Sequence, residues 1–296
     1  NCSQMKNLTI SFSGTSNVTD MSRMFTNCSK LESLTVEINT TKATNMEFMF
    51  SGCSNLTTVT MGSSAAQSTS NVTSMDAMFF GCLNLTSLNL GSYFKTQNVT
   101  DMSDMFQQCR SLSKLNLSMF DTSKVTTFYQ MFNNCSNLKE LNLSSFTVSS
   151  SASTGYMLSF GTSNSIRVLK TPKTLGQSIL ITTGSILYDT STGDAKTSIG
   201  TSDANKTFAI KIDVTLNGNG GKWADGSTQS HVYFYYSLNK FYSNSSCTTA
   251  ITAVTRPTKT GYSYDESKGF YTTSSVNGFS SGKSLIGFTG TEFYST

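Results

Sequence analysis

The sequence predicts an α/β solenoid of short parallel strands and short helices, followed by a small mainly-β domain. Two observations carry that prediction. The first is a recurring pattern, Val-x-x-Met-x-x-Met-Phe-x-x-Cys-x-x-Leu-x-x-Leu-x-Leu, clearest from Val18 to Val36. Its Met-Phe pair returns at Met24, Met49, Met78, Met105 and Met131, in steps of 25, 29, 27 and 26 residues. Cys2, Cys28, Cys53, Cys82, Cys109 and Cys135 keep the same beat. Such a period marks stacked coils, each too small to bury its own apolar face without neighbours. The second observation is a change of pattern near residue 206, where Phe208, Ile210, Ile212, Val214 and Leu216 alternate as a half-buried strand does.

Within each coil the leucine segment predicts a strand, as in Leu31/Leu34/Val36, Leu85/Leu88/Leu90 and Leu138/Leu141/Leu143. The preceding Val-x-x-Met-x-x-Met-Phe segment, with apolar spacings of three, three and one, predicts a short helix or helical turn. The polar position just before its first methionine (Asp20, Asn45, Ser74, Asp101, and Thr127 where phenylalanine replaces that methionine) suits a cap. Cysteines one coil apart stack about 4.8 Å from each other, too far for a disulfide's Cβ separation of about 3.8 Å, and are expected as buried free thiols. The insertion Met61–Ser70 is expected to loop out at the coil edge. After Phe146 the pattern decays, and Tyr156-Met157-Leu158 with Ile166–Leu169 reads as a degenerate closing coil. Residues 1–175 are thus assigned to the solenoid, 176–205 to a small β transition ending near Ser202–Asn205, and 206–296 to the second domain. Asn1–Ile10 matches only the second half of a coil, so the chain reads as a piece of a longer protein.

The repeat, Asn-Val-Thr-x-Met-x-x-Met-Phe-x-x-Cys-x-x-Leu-x-x-Leu-x-Leu, resembles that of the BspA-like leucine-rich-repeat surface proteins. The resemblance implies a leucine-rich-repeat solenoid, and an exported, extracellular or cell-surface protein used in adhesion. Related phage proteins carry the same repeat, so a virion fibre or decoration protein is the alternative. In the second domain, the opening strand, Asn217–Gly221, Pro257-Thr258-Lys259-Thr260-Gly261-Tyr262 and Gly269-Phe270-Tyr271-Thr272 together resemble the internalin B-type repeat. That implies a β-grasp-like module used as a spacer, with tandem copies or an oligomer outside these residues. The link Asp265–Lys268 is a few residues longer than that family's.

Composition narrows function. Charged residues are only 13%, and the +4 net charge comes from lysines and arginines scattered singly rather than in the stripe that nucleic-acid binding needs. No apolar run is long enough for a membrane span. His231, the single histidine, lies in an aromatic stretch and reads as a strand side chain. No catalytic residue, metal site or cofactor is expected, and an enzyme is the disfavoured reading.

Partners are therefore expected to be proteins or glycans on a host or neighbouring cell surface. The residues between the strand leucines should face solvent in columns, one of Thr35, Thr60, Asn89, Asn116 and Asn142, another containing Lys114. Two readings stand for these columns: a hydrogen-bonded polar ladder that keeps the sheet soluble, or a binding face. A second candidate contact is aromatic, from Trp223, Tyr233 and Tyr235, which would stack on a sugar or pack against the solenoid. The Asn-x-Thr triplets at Asn17, Asn71 and Asn98 follow from the repeat itself.

Overall fold

The computed structural model describes residues 5–11, 17–161, 163, 166–217, 229–235, 240–242 and 250–251, with side chains through residue 211. The chain divides into two compact units, Asn1–Ile186 with Lys196–Phe208, and Leu187–Ala195 with Ala209–Thr296.

The first unit is a solenoid. Strands β1 (Asn7–Ser11), β2 (Ser33–Glu37), β3 (Thr58–Met61) and β4 (Ser87–Leu90) form one parallel sheet, pairing Leu8 with Leu34, Leu34 with Val59 and Val59 with Leu88. A second parallel run starts with β5 (Lys114–Asn116) and β6 (Glu140–Asn142). Two short strands follow, β7 (Thr147–Val148) and β8 (Leu158–Gly161), before β9 (Val168–Lys170) extends the run from β6. Strands β4 and β5 belong to separate sheets. The seam coincides with a change of register: four residues carry the chain from Leu90 to Phe94, but three from Leu117 to Phe120 and from Leu143 to Phe146.

Beyond β9, β10 (Thr174–Leu175) pairs with β7 and β11 (Ile179–Thr183) with β8, both in parallel. Strands β12 (Leu187–Asp189) and β13 (Ala195–Lys196) precede β14 (Ser198–Ile199), which is antiparallel to β11. The stretch Ser202–Asn205, expected as a boundary, is stitched to the closing coil. The Thr171 hydroxyl donates to the Asp203 carbonyl at 2.6 Å and accepts from the Lys206 amide at 2.8 Å. The buried Asp203 carboxylate pairs with Lys196 at 2.9 Å and Lys206 at 3.5 Å.

In the second unit β15 (Thr207–Asn217) pairs antiparallel with β16 (Gln229–Tyr235), β16 with β17 (Lys240–Tyr242), and β17 with β18 (Ala250–Ile251). The later motifs read as an internalin B-type repeat, Thr255–Tyr262 and Gly269–Thr272, lie outside the described residues, as do Cys2 and the linker Asp265–Lys268.

The expected α/β class is overturned: the unit is a mostly β solenoid. Among the described residues the helices are two single 3-10 turns, Ala65–Gln67 and Thr201–Asp203. The Met-x-x-Met-Phe segments are paired turns, because their amides bond sideways to the next coil rather than back along a helix. Met21, Arg23, Phe25 and Asn27 donate to the carbonyls of Asn45, Glu47, Met49 and Ser51 at 2.7–2.9 Å. Bridges continue this from Asp20 through Asn45, Ser74, Asp101 and Thr127 to Ser153. Two left-handed residues per coil turn the backbone, at Arg23/Asn27, Phe48/Gly52, Ala77/Gly81, Asp104/Gln108 and Gln130/Asn134. A left-handed residue other than glycine costs about 1–2 kcal/mol. Leaving a buried amide unpaired costs about 1–3 kcal/mol, so four lateral bonds per coil outweigh the strain.

The interior is columnar. Phe25, Phe50, Phe79, Phe106 and Phe132 stack with centroids 5.2–5.9 Å apart, and Phe94, Phe120 and Phe146 form a second stack. Cys28, Cys53, Cys82, Cys109 and Cys135 are free and buried, as expected. Each of the last four thiols donates to a phenylalanine carbonyl one coil earlier (Phe25, Phe50, Phe79, Phe106) at 3.0–3.2 Å. A buried threonine column, Thr69, Thr96 and Thr122, donates to the carbonyls of Lys95, Asp121 and Thr147 and accepts the amides of the same residues. The insertion does leave the core intact: Met61, Gln67 and Thr69 are buried while Ser63–Ala66 are exposed. Met49, Met78, Met105 and Met131 are fully buried, but Met24, in the first turn segment described, is 43% exposed, against expectation.

Burial pushes the Cys135 thiol up to about 12 and those of Cys82 and Cys109 well above the ordinary range. These thiols should therefore resist alkylation at pH 8–9 until the solenoid unfolds, measured by mass spectrometry across a denaturant series; labelling under native conditions would contradict the buried column. Thr96→Val, which strands the Asp121 amide and carbonyl, should lower stability by about 1–3 kcal/mol in chemical denaturation.

Candidate functional site: the outer strand face

The strand segments place alternate residues inward and outward. Leu34, Val59, Leu115 and Leu141 point into the core, so the residues on either side of each point outward. The predicted column is present in two blocks. Thr35 faces Thr60 and Thr60 faces Asn89 across β2–β4, and the Asn89 side-chain amide donates to the Thr60 hydroxyl at 3.3 Å. Asn116 faces Asn142, and Asn142 faces Lys170, across β5, β6 and β9. The seam between β4 and β5 separates the blocks, so strand pairing does not join Asn89 to Asn116. Leu88 and Leu90 are only part-buried at this seam, whereas Leu34 and Val59 are fully buried.

The second block has relief as well as order. Lys114, Glu140 and Val168 form one outward row and Asn116, Asn142 and Lys170 the other. Between them lies a trough of about 250 Å³ that runs across the strands. Lys114 pairs with Glu140 at 2.8 Å while staying 70% exposed. The two asparagines are oriented by the backbone: Asn116 Oδ1 accepts from the Ser118 amide at 3.1 Å and Asn142 Oδ1 from the Ser144 amide at 3.0 Å. Asn142 Nδ2 also donates to Asn116 Oδ1 at 3.1 Å. With their oxygens engaged, the asparagines offer hydrogen-bond donors outward. Glu140 belongs to the outward column that the sequence predicts with Lys114, whereas Val168 and Lys170, on the degenerate closing coil, are not among the predicted face residues.

The aromatic candidates are only partly located. Tyr233 and Tyr235 lie on one face of β16, opposite Asp213 and Lys211 on β15 and opposite Tyr242 and Lys240 on β17. Trp223 lies outside the described residues. His231 is on β16 opposite Thr215. Among the described residues no group of acidic, histidine or cysteine side chains converges to hold a metal ion, and no helix is long and apolar enough to cross a membrane. Asn71 and Asn98 spend their side-chain amides on the carbonyls of Thr41 and Ser70, at 2.7 and 2.8 Å.

The turn face carries the opposite charge. Burial, then Asp101, Asp104 and Glu47, raise the Asp76 carboxyl to about 6, with Arg23 opposing. Burial and Asp101 also raise Asp104, whose Oδ1 is buried without a hydrogen-bond partner.

A family model described as "Mycoplasma protein of unknown function, DUF285" matches residues 1–62 and 58–169, which together cover the repeat. The chain belongs to that family. Comparison with curated proteins and with solved structures gave no match. For this DUF285 chain the matched region takes in β5, β6 and all but the final residue of β9.

A carboxyl that binds its proton more tightly folded than unfolded favours the fold in acid and disfavours it above. Stability should thus fall as pH rises from the ordinary carboxylate range near 4 to about 6. Asp76→Asn should flatten that fall in pH-dependent thermal melts and raise stability at pH 7 by about 1 kcal/mol, a value reduced for solvent screening of a part-exposed group. An unchanged pH profile would show that Asp76 titrates normally.

Proposed function

We propose that this protein is a non-enzymatic, extracellular or cell-surface binding module. Its solenoid presents the outer strand face to surface proteins or glycans of a host or neighbouring cell, and its second unit serves as a spacer. The observation that carries this reading is the pair of registered outward columns, with backbone-oriented side chains and a trough in the second block. A polar ladder serving solubility alone has no need of the trough. The resemblance of the repeat to BspA-like surface proteins supports the same reading, and that of the second unit to internalin B-type repeats supports the spacer.

Fluorescently labelled protein should bind mucus-coated or epithelial cell layers saturably. Replacing Asn89 and Asn116 together by Glu should abolish that binding with the melting curve unchanged. Retained binding there, with loss on Tyr233→Ala and Tyr235→Ala, would move the contact to the second unit. No saturable binding by the unaltered protein would overturn the proposal.

A further inference from the structure

The trough on β5, β6 and β9 has a chemical bias absent from the rest of the strand face. In the first block the outward residues of β2–β4 are Ser33, Thr35, Glu37, Thr58, Thr60, Ser87 and Asn89, and the one charge among them is acidic. Around the trough Lys114 and Lys170 line the wall, and Lys139 and Arg167 stand one residue before β6 and β9, against the single carboxylate of Glu140. Lys139 and Arg167 are on adjacent coils, the Arg167 amide donating to the Lys139 carbonyl at 2.7 Å. Burial first, and then the Arg167 charge, lower the Lys139 ammonium. The wall that holds Lys170 adds directed donors. Asn116 and Asn142 turn their oxygens to backbone amides, leaving Asn116 Nδ2 and the second N–H of Asn142 to donate outward. Donors and cations together select a ligand rich in acceptor oxygens.

The spacing discriminates among anionic polymers. Outward side chains repeat along the trough at the interstrand distance, about 4.8 Å, close to the length of one sugar ring in a linear chain. An extended peptide rises about 3.3 Å per residue and repeats on one face at about twice that, out of step with the coils. Single-stranded nucleic acid relies on aromatic stacking, and no aromatic side chain lines the trough.

We infer that the trough binds an unbranched acidic polysaccharide laid along the solenoid axis. Asn116 and Asn142 donate to its ring and hydroxyl oxygens, and Lys170 meets its carboxylate or sulfate groups. This inference rests on the strand-face reading above and names its ligand class.

The test uses the full chain in affinity electrophoresis and calorimetry against hyaluronate and polygalacturonate (carboxylated), heparin (sulfated), dextran (neutral), poly-glutamate and oligo(dT). One or both classes of acidic polysaccharide should bind, weaken with added salt, and exceed dextran, poly-glutamate and oligo(dT) at least tenfold. The carboxylated and sulfated arms identify which acid group is preferred. Lys170→Glu and Asn116→Asp should each weaken binding at least tenfold, the latter keeping the acceptor for the Ser118 amide. Lys30→Glu, the same charge change on an exposed residue of the Cys28 coil, should leave binding within twofold. No affinity for any acidic polysaccharide, an equal loss with Lys30→Glu, or equal affinity for poly-glutamate or oligo(dT) would each overturn the inference. Cell-surface binding that survives Lys170→Glu and Asn116→Asp would overturn it too while leaving the strand-face function standing.

Discussion

Lateral hydrogen bonding between successive coils is the constraint on which the solenoid depends. Each coil is nearly all turn and short strand, so few of its amides and carbonyls find partners within it, and buried ones must find them next door. The strands do so through parallel ladders, and the Met-x-x-Met-Phe turns do so through alternate amides that reach the following coil. Side chains close what the backbone leaves open. Thr69, Thr96 and Thr122 each serve one carbonyl and one amide of the next coil, and Thr73, Thr100 and Thr126 donate to the carbonyls of Thr44, Thr73 and Thr100. The cysteine is held by the same logic, as a small apolar filler whose thiol also reaches a carbonyl of the preceding coil.

This constraint explains which features were legible in the sequence. The strands were, because Leu-x-x-Leu-x-Leu admits one inward set and the period repeats it. The burial of Met49, Phe50, Cys53 and their equivalents followed from the same period. The turns were misread because spacings of three, three and one satisfy one face of a helix as well as two successive turns. A warning was present: Asn27, Gly52, Gly81 and Asn134 each precede a cysteine, and Asn and Gly are the residues that accept left-handed backbone. The threonine three residues before each valine, as in Thr69/Val72 and Thr96/Val99, marked the buried hydroxyl column. At the strand face the outward columns could be read directly. The seam and the trough could not, since the period does not say where one sheet stops pairing with the next, nor which asparagine atoms the Ser118 and Ser144 amides engage.

Charge is sparse and segregated. Acidic groups gather on the turn face at Glu47, Asp76, Asp101 and Asp104, and cations around the late strands at Lys114, Lys139, Arg167 and Lys170. With charged residues only 13% of the chain, most other surface positions being Ser, Thr or Asn, each local cluster meets little competing field. The net charge of +4 says less about partners than this division does.

Stability is carried by the inner columns of the array. The phenylalanine stacks, buried thiols and threonine hydroxyls recur coil after coil, and altering one of them disturbs two neighbours at once. The outward residues of β5, β6 and β9 answer to no such repetition: Lys114, Glu140 and Val168 occupy one column, and Asn116, Asn142 and Lys170 the other. A polar ladder selected for solubility alone would continue the Ser/Thr pattern of β2 and β3. Where the trough opens, that pattern gives way to lysines set beside asparagines, the chemistry that the proposed contact would need of an otherwise repetitive scaffold.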